Sequence, residues 1–186
     1  MRTIVGVTGG SGVAYAYTLL SNLKGEIVLI LSRDAEEVIR AETDLEPKDF
    51  EDLATHAYRN DDLSAPPASG SYKFDAMVIV PCSGTTYAKI AAGIADNLVT
   101  RAATVAIKEK RTLILVPRET PLSTIMLDNL AKLAHAGVTI LPAMPGFYLN
   151  PKKVQELVDF VVGRILDHLG QEHRLSRPWE GPTKRE

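Results

Sequence analysis

The stretch Arg111-Thr-Leu-Ile-Leu-Val-Pro-Arg-Glu-Thr-Pro-Leu122 joins a short apolar strand to a charged turn and to the start of a helical pattern. The apolar run is followed directly by Arg118 and Glu119, and Thr120-Pro121 opens the next segment. In an open parallel sheet, ligands bind just beyond the carboxyl ends of the strands. This stretch therefore predicts an α/β fold with a functional pair at a strand end. Taken alone, the charged pair also fits an ordinary solvated loop.

Short apolar runs and helical patterns alternate along the whole chain. Strands are predicted at Thr3–Thr8, Glu26–Ser32, Ala76–Pro81, Thr112–Pro117 and Val138–Pro142. Helices are predicted at Gly12–Leu23, Asp34–Glu42, Pro47–Tyr58, Thr85–Ala92, Asn97–Lys108, Pro121–His135 and Pro151–Leu169. The apolar runs are mostly continuous, as in strands covered by helices on both faces. The alternation predicts a single-domain, doubly wound, Rossmann-like or flavodoxin-like parallel sheet over residues 1–170, followed by a tail at 171–186.

Composition places the chain among ordinary globular proteins. It has 186 residues, of which 45% are hydrophobic and 24% charged, and its net charge is -2. This charge argues against a nucleic-acid partner, which would need a basic face. We expect a cytoplasmic protein, because Cys82 is the single cysteine and no apolar run approaches the ~18 residues of a membrane span. The four histidines are scattered, so the sequence predicts no metal site.

Three predicted strands end in turns rich in glycine and hydroxyl groups. The first ends in Thr8-Gly9-Gly10-Ser11-Gly12, the second in Ser32, and the third in Pro81-Cys82-Ser83-Gly84-Thr85-Thr86. Glycines let backbone N–H groups approach an anion, and the following helix adds a favourable dipole. These turns are candidate cradles for a polar cofactor, but a tight turn without a ligand and a helix-capping Ser32 explain the same patterns.

Three basic side chains on predicted helices are candidate anion ligands. Arg101 and Lys108 are seven residues apart and project from one side of their helix, which suggests an anionic ligand. A solvated basic stripe is the alternative. Arg164 lies at the border of the apolar stripe of the last helix, where an arginine can also simply lie over its own helix.

Taken together, the motifs resemble the flavin prenyltransferase (UbiX-like) family, within the flavoprotein decarboxylase-like folds. The specific elements are Pro117-Arg118-Glu119-Thr-Pro and Pro145-Gly-Phe-Tyr148. The others, in chain order, are Val-Thr-Gly9-Gly-Ser11-Gly, Glu42-Thr-Asp, Pro67-Ala-Ser69-Gly-Ser, Pro81-Cys-Ser83, Arg101-Ala-Ala, Lys108-Glu-Lys-Arg, Arg164 and Trp179. The resemblance covers nearly the whole chain.

The resemblance implies an enzyme that joins a dimethylallyl group from dimethylallyl monophosphate to N5 and C6 of reduced FMN, without a metal. It implies that FMN is held by Gly9, Gly10, Ser11, Ser32, Ser69, Ser83, Gly84, Thr85, Thr86 and Arg101. The prenyl phosphate would be held by Lys108, Arg118, Tyr148 and Arg164. The expected catalytic residues are Glu119, Glu42, Ser11, Lys108 and Trp179, with Trp179 bringing the tail close to the active site.

The family resemblance also implies a homododecamer that supplies prenylated FMN to UbiD-like decarboxylases. Two other functions remain open at this point. One is a flavin-dependent decarboxylase acting on a cysteine or on an aromatic acid. The other is a non-enzymatic FMN carrier, which would need the flavin cradle but not the four phosphate ligands together.

Overall fold

The computed structural model describes residues 1–176 and 181. Strands in this part of the chain are β1 (Arg2–Val7), β2 (Glu26–Leu31), β3 (His56–Arg59), β4 (Ala76–Cys82), β5 (Thr112–Pro117) and β6 (Thr139–Ile140). They form one sheet in the order β3-β2-β1-β4-β5-β6, and every neighbouring pair is parallel. The strand order reverses between β1 and β4, which is where open α/β sheets bind ligands.

Helices connect the strands. They are α1 (Val13–Asn22), α2 (Arg33–Glu42), α3 (Pro47–Glu51), α4 (Gly84–Ala92), α5 (Leu98–Lys108), α6 (Thr124–His135) and α7 (Val154–His168), with a short 3-10 turn at Pro66–Ala68. None of the helices in the described ranges is long and apolar enough to cross a membrane.

Both faces of the sheet are buried. Ile4 and Val5 are neighbours in β1, yet they belong to two different apolar clusters because successive strand residues point to opposite faces. The Val5 cluster includes residues of α1, α2, α3 and α7, and the Ile4 cluster includes residues of α4, α5 and α6. Two covered faces explain the continuous apolar strands and confirm the doubly wound prediction.

The predicted helix Pro47–Tyr58 is wrong over its second half. The helix α3 ends at Glu51, and His56–Arg59 forms the edge strand β3, paired with Val28–Leu31 of β2. Three of the four β3 residues are exposed, so the strand lacks the apolar run that marks the central strands. An exposed edge strand has no buried face to impose a period on its sequence.

Two helices begin three residues later than predicted, and the last strand is shorter. The helix predicted from Pro121 begins at Thr124, because the Ser123 hydroxyl caps it by accepting from the Met126 amide. The helix predicted from Pro151 begins at Val154. The last strand covers only Thr139–Ile140, since it pairs with β5 at an edge of the sheet.

Candidate active site

A buried threonine joins the two turns at the switch point. The Thr8 hydroxyl donates to the Pro81 carbonyl at 2.8 Å and accepts from the Ser83 amide at 2.8 Å. Thr8 is 3% exposed, so these hydrogen bonds are shielded from water. The glycine-rich turn after β1 and the hydroxyl-rich turn after β4 therefore form one continuous surface.

Two glycines in the first turn are required by its geometry. A Cβ on Gly9 would lie 2.6 Å from Cβ of Asp34, so a side chain there would collide with the first turn of α2. Gly12 has a φ of 104°, a left-handed conformation that side chains disfavour. The glycines thus bring α1 and α2 close together at the carboxyl edge.

A polar cavity of about 230 Å³ lies at this edge. Its lining includes Thr8, Gly9, Ser32, Asp34, Asn60, Ser83, Thr85, Thr86, Lys89, Asn97 and Val99. Five of the predicted FMN residues are among them: Gly9, Ser32, Ser83, Thr85 and Thr86. The cavity is below the roughly 300–1,000 Å³ of sites that enclose a drug-sized ligand, so it can enclose only part of a flavin nucleotide.

The serines of the cavity also cap helices. The Ser32 hydroxyl accepts from the Ala35 amide at 3.1 Å at the start of α2. The Ser83 hydroxyl accepts from the Thr86 amide at 3.3 Å and shares a 2.9 Å hydrogen bond with the Thr86 hydroxyl at the start of α4. Two helix N-termini therefore meet at the cavity, and both favour an anion.

Sequence reasoning missed Asn60, Lys89 and Asn97. Asn60 follows β3; its side-chain oxygen accepts from the Val99 amide at 2.8 Å and helps hold the start of α5. The mistaken helix Pro47–Tyr58 hid this strand end. Lys89 forms a 2.7 Å ion pair with Asp96 and brings an ammonium group to the cavity lining. The signal for Asn97 was its capping position just before a helical pattern.

Glu42 lies at the end of α2 and binds the first turn of α1. Its carboxylate accepts from the amides of Gly12 at 2.8 Å and Val13 at 3.2 Å. Partial burial works to raise the pKa of Glu42, but hydrogen bonds from the Ser11 hydroxyl and the two amides, together with the charge of Arg118, bring it below the ordinary value. The Arg118 guanidinium donates to the Ser11 carbonyl at 3.3 Å. The structure thus groups Glu42, Ser11 and Arg118.

Glu119 is half-buried directly after Arg118. Its Oε1 accepts from the Thr120 amide at 3.1 Å. Because β5 is the neighbour of β4, this carboxylate lies on the same edge of the sheet as the hydroxyl-rich turn. A carboxylate in such a position can receive or return a proton at a bound ligand.

The other predicted flavin residues lie around the cavity or away from it. Gly10 packs under Pro81, and Gly84 lies beside Met126. Arg101 is exposed on α5. Ser69 is exposed in the loop after the 3-10 turn, where its hydroxyl is 2.8 Å from the Ser71 hydroxyl. None of these residues lines the 230 Å³ cavity.

The predicted phosphate ligands fall in three places. Arg118 is beside Ser11, as above. Lys108 ends α5, where its ammonium group forms a 2.8 Å ion pair with Glu109 next to Gly70. Tyr148 and Arg164 line a second cavity of about 1070 Å³. Within one chain, these groups do not form a single site.

The second cavity also includes Asn22, Lys24 and His173 in its lining. Arg164 forms a 2.7 Å ion pair with Asp167, and the Tyr148 ring packs edge-on against Phe160 at 5.7 Å. Trp179, expected to bring the tail to the active site, lies outside the described residues.

The described residues contain no cluster of three or more side chains suited to a metal ion. Cys82 is buried, and its burial raises the pKa of the thiol well above the ordinary value. A buried, protonated thiol is a poor nucleophile. The reactive groups at this edge are therefore carboxylates, hydroxyls and cations.

A parallel sheet with this strand order and a polar cavity at its switch point defines an α/β protein that binds a nucleotide-like ligand. A family model described as Flavoprotein matches residues 1–166. The flavin prenyltransferase UbiX of Thermoplasma acidophilum is 53% identical over 180 residues, covering 96% of this chain and 100% of the relative. The chain belongs to the flavoprotein family and, within it, to the UbiX flavin prenyltransferases.

Solved structures agree with this assignment. AnUbiX (PadA1), in complex with FMN and dimethylallyl pyrophosphate, superposes with a TM-score of 0.96 at 38% identity, covering 98% of each chain. A dodecameric FMN-dependent UbiX-like decarboxylase from Escherichia coli O157:H7 also gives 0.96, at 44% identity, covering 97% of this chain and 100% of the other. The whole described sheet and its helices therefore follow the family fold.

Proposed function

We propose that this chain transfers a dimethylallyl group from dimethylallyl monophosphate to N5 and C6 of reduced FMN. The observation that carries the proposal is the carboxyl edge itself, where a hydroxyl-rich cavity lies on the same edge as Glu119 and the Glu42–Ser11–Arg118 group. Reduced FMN supplies the nucleophilic nitrogen and carbon, and the chain supplies binding, orientation and proton transfer.

The cavity fits the polar part of FMN. Thr85, Thr86 and Ser83 offer hydroxyl groups, Lys89 offers a cation, and the N-termini of α2 and α4 offer a favourable dipole for a phosphate. Because the cavity would enclose only part of the nucleotide, the ring system would extend beyond it, toward the edge that carries Arg118 and Glu119. The ring would then lie where prenyl transfer needs it.

The prenyl phosphate requires cations that stabilise the departing anion. When the allylic C–O bond breaks, its electron pair leaves with the phosphate, and preorganised Lys and Arg side chains lower the barrier. Lys108, Arg118, Tyr148 and Arg164 are the proposed ligands. Since one chain keeps them apart, we propose that a neighbouring subunit of a homododecamer completes this site.

The two carboxylates have different proposed roles. Glu119 would take the proton lost from N5 as the first bond forms, because it is half-buried and follows the end of β5. It would return that proton to the prenyl double bond, so that C6 can form the second bond, and it would then take the proton lost from C6. Glu42 is held ionised by the Ser11 hydroxyl and the first amides of α1. It therefore orients Ser11 and balances the charge of Arg118.

Phosphate release tests this function directly. Under anaerobic conditions, the protein is mixed with dimethylallyl monophosphate, with or without reduced FMN, and free phosphate is measured. We expect release only when both are present. Release without the flavin would indicate a phosphatase. If neither the monophosphate nor the diphosphate released phosphate, a decarboxylase and an FMN carrier would be the remaining candidate functions.

We further propose that the product serves a UbiD-like decarboxylase in the cytoplasm. The flavin from a completed reaction, added to an apo decarboxylase of this type, is expected to restore its activity. Unreacted FMN processed in the same way is the control. Equal activation by both flavins would refute this use of the product.

A further inference from the structure

The hydroxyl of Tyr87 is buried without a hydrogen-bond partner among the described residues. The side chain is 0% exposed and belongs to the apolar cluster under α4 and α5. Burying an unpartnered hydroxyl is destabilising, and a phenylalanine would fill the same space without that cost. A tyrosine here calls for an explanation other than packing.

The hydroxyl is directed toward the ligand-binding turn. Tyr87 lies in the first turn of α4, and its amide donates to the Ser83 carbonyl at 3.1 Å. A Cβ placed on Gly84 would be 3.6 Å from the Tyr87 oxygen and 3.3 Å from Cε of Met126. Gly84 therefore lies close to the hydroxyl, which is packed at the start of the turn that lines the cavity.

Glu119 is the ionisable group that the strand register brings to this place. Cys82 at the end of β4 pairs with Pro117 at the end of β5, and Glu119 follows two residues later. Burial raises the pKa of Tyr87, and the negative charge of Glu119 raises it further. Tyr87 is therefore a protonated donor within electrostatic reach of the Glu119 carboxylate.

We propose that Tyr87 is a positioning residue for the reaction: in the substrate-loaded enzyme its hydroxyl donates to Oε2 of Glu119. Oε1 is held by the Thr120 amide, so a second donor fixes the orientation of the carboxylate. The role rests on the proposed function, because Glu119 is the group that carries the protons. A carboxylate held at both oxygens keeps the geometry that proton transfer needs.

The test is Tyr87→Phe, which removes one oxygen atom. We expect turnover to fall about tenfold, with the KM for FMN and for the prenyl phosphate unchanged, because positioning acts on the transition state. The melting temperature should not fall, since the lost hydroxyl has no partner in the free protein. Wild-type turnover in this variant would overturn the proposal, as would a fall in melting temperature that accounts for the loss.

Tyr17→Phe is the matched control. Tyr17 packs edge-on against Phe50 at 5.2 Å in the cluster on the other face of the sheet, so its hydroxyl should not affect turnover. Combining Tyr87→Phe with Glu119→Gln gives a second control. If the hydroxyl acts through the carboxylate, the double variant should be no slower than Glu119→Gln alone. Additive losses would contradict this.

A readout without substrates separates this inference from the proposed function. The ionisation of the tyrosines is followed by near-ultraviolet absorbance as the pH is raised. Subtracting the curve of Tyr87→Phe from that of the wild type isolates the Tyr87 phenol among the six tyrosines of the chain. In the Glu119→Gln background this titration should move to lower pH, since a neighbouring negative charge has been removed. An unmoved titration overturns the pairing. If the wild type transfers no prenyl group while the titration moves, the function fails and the electrostatic coupling between Tyr87 and Glu119 stands.

Discussion

Replacing Glu42 by Gln removes the negative charge that binds the start of α1. The carboxylate accepts two amide hydrogen bonds, at 2.8 and 3.2 Å, and it faces the favourable end of the helix dipole. Hydrogen bonds to a charged group contribute more than neutral ones, but Glu42 is largely exposed, so solvent screening reduces the gain. We expect the free energy of unfolding to fall by about 1 kcal/mol at neutral pH, or about 2–4 °C in melting temperature.

The same interaction makes this loss dependent on pH. Because the pKa of Glu42 is lower in the folded protein than its ordinary value of 4.5, the stabilisation is fully present above that value. It disappears as the pH falls through the lowered folded pKa, where wild type also carries a neutral side chain. The difference between wild type and Glu42→Gln should therefore be largest at about pH 7 and smaller at about pH 3.

Denaturant unfolding at the two pH values, at one protein concentration, measures this difference. Asp44→Asn is the control, because Asp44 is exposed two residues further on and accepts no hydrogen bond within the described chain. It should change stability little at either pH. An equal loss for Glu42→Gln at both pH values, or no loss at neutral pH, would refute the capping role of this carboxylate.

Three further predictions concern the binding and reaction residues. Glu119→Gln should keep FMN affinity but slow prenyl transfer by on the order of 10²–10⁴ in single-turnover kinetics, and unchanged turnover would remove Glu119 from the mechanism. Thr86→Val should weaken FMN binding about tenfold in a fluorescence titration, because the cavity loses a hydroxyl while the amide cap of α4 remains. Arg164→Ala should raise the KM for the prenyl phosphate and spare FMN affinity; loss of FMN would mean that the phosphate site is misplaced. Its ion pair with Asp167 is exposed, so stability should change by less than about 1 kcal/mol.

The fold could be predicted from the sequence wherever both faces of a strand are buried. Val5 and Ile79 lie in central strands, whose apolar runs are continuous because helices cover both sides. The edge strand His56–Arg59 has little buried surface and could not be recognised in this way. Because this strand was not recognised, Asn60, which follows it and lines the cavity, was not predicted as a site residue.

The candidate site could be predicted where strand ends determine it. Ser32 and Ser83 follow β2 and β4, the two strands that flank β1 in one parallel sheet, so both turns lie at the carboxyl edge beside the turn after β1. The positions of Lys108 and Arg164 depend instead on how the helices α5 and α7 pack, which no local sequence pattern reveals. The sequence also contained no signal for Tyr87, because its side chain packs in an apolar cluster and its proposed role acts only through Glu119.

The mass of the flavin is the most direct test of prenyl transfer. The protein is incubated anaerobically with reduced FMN and dimethylallyl monophosphate. The flavin is then extracted and its mass is measured by mass spectrometry, with a sample lacking protein as the control. We predict a gain of one five-carbon prenyl unit in the complete reaction. FMN of unchanged mass, with binding confirmed and the diphosphate also tried, would contradict the assignment of this chain as the transferase.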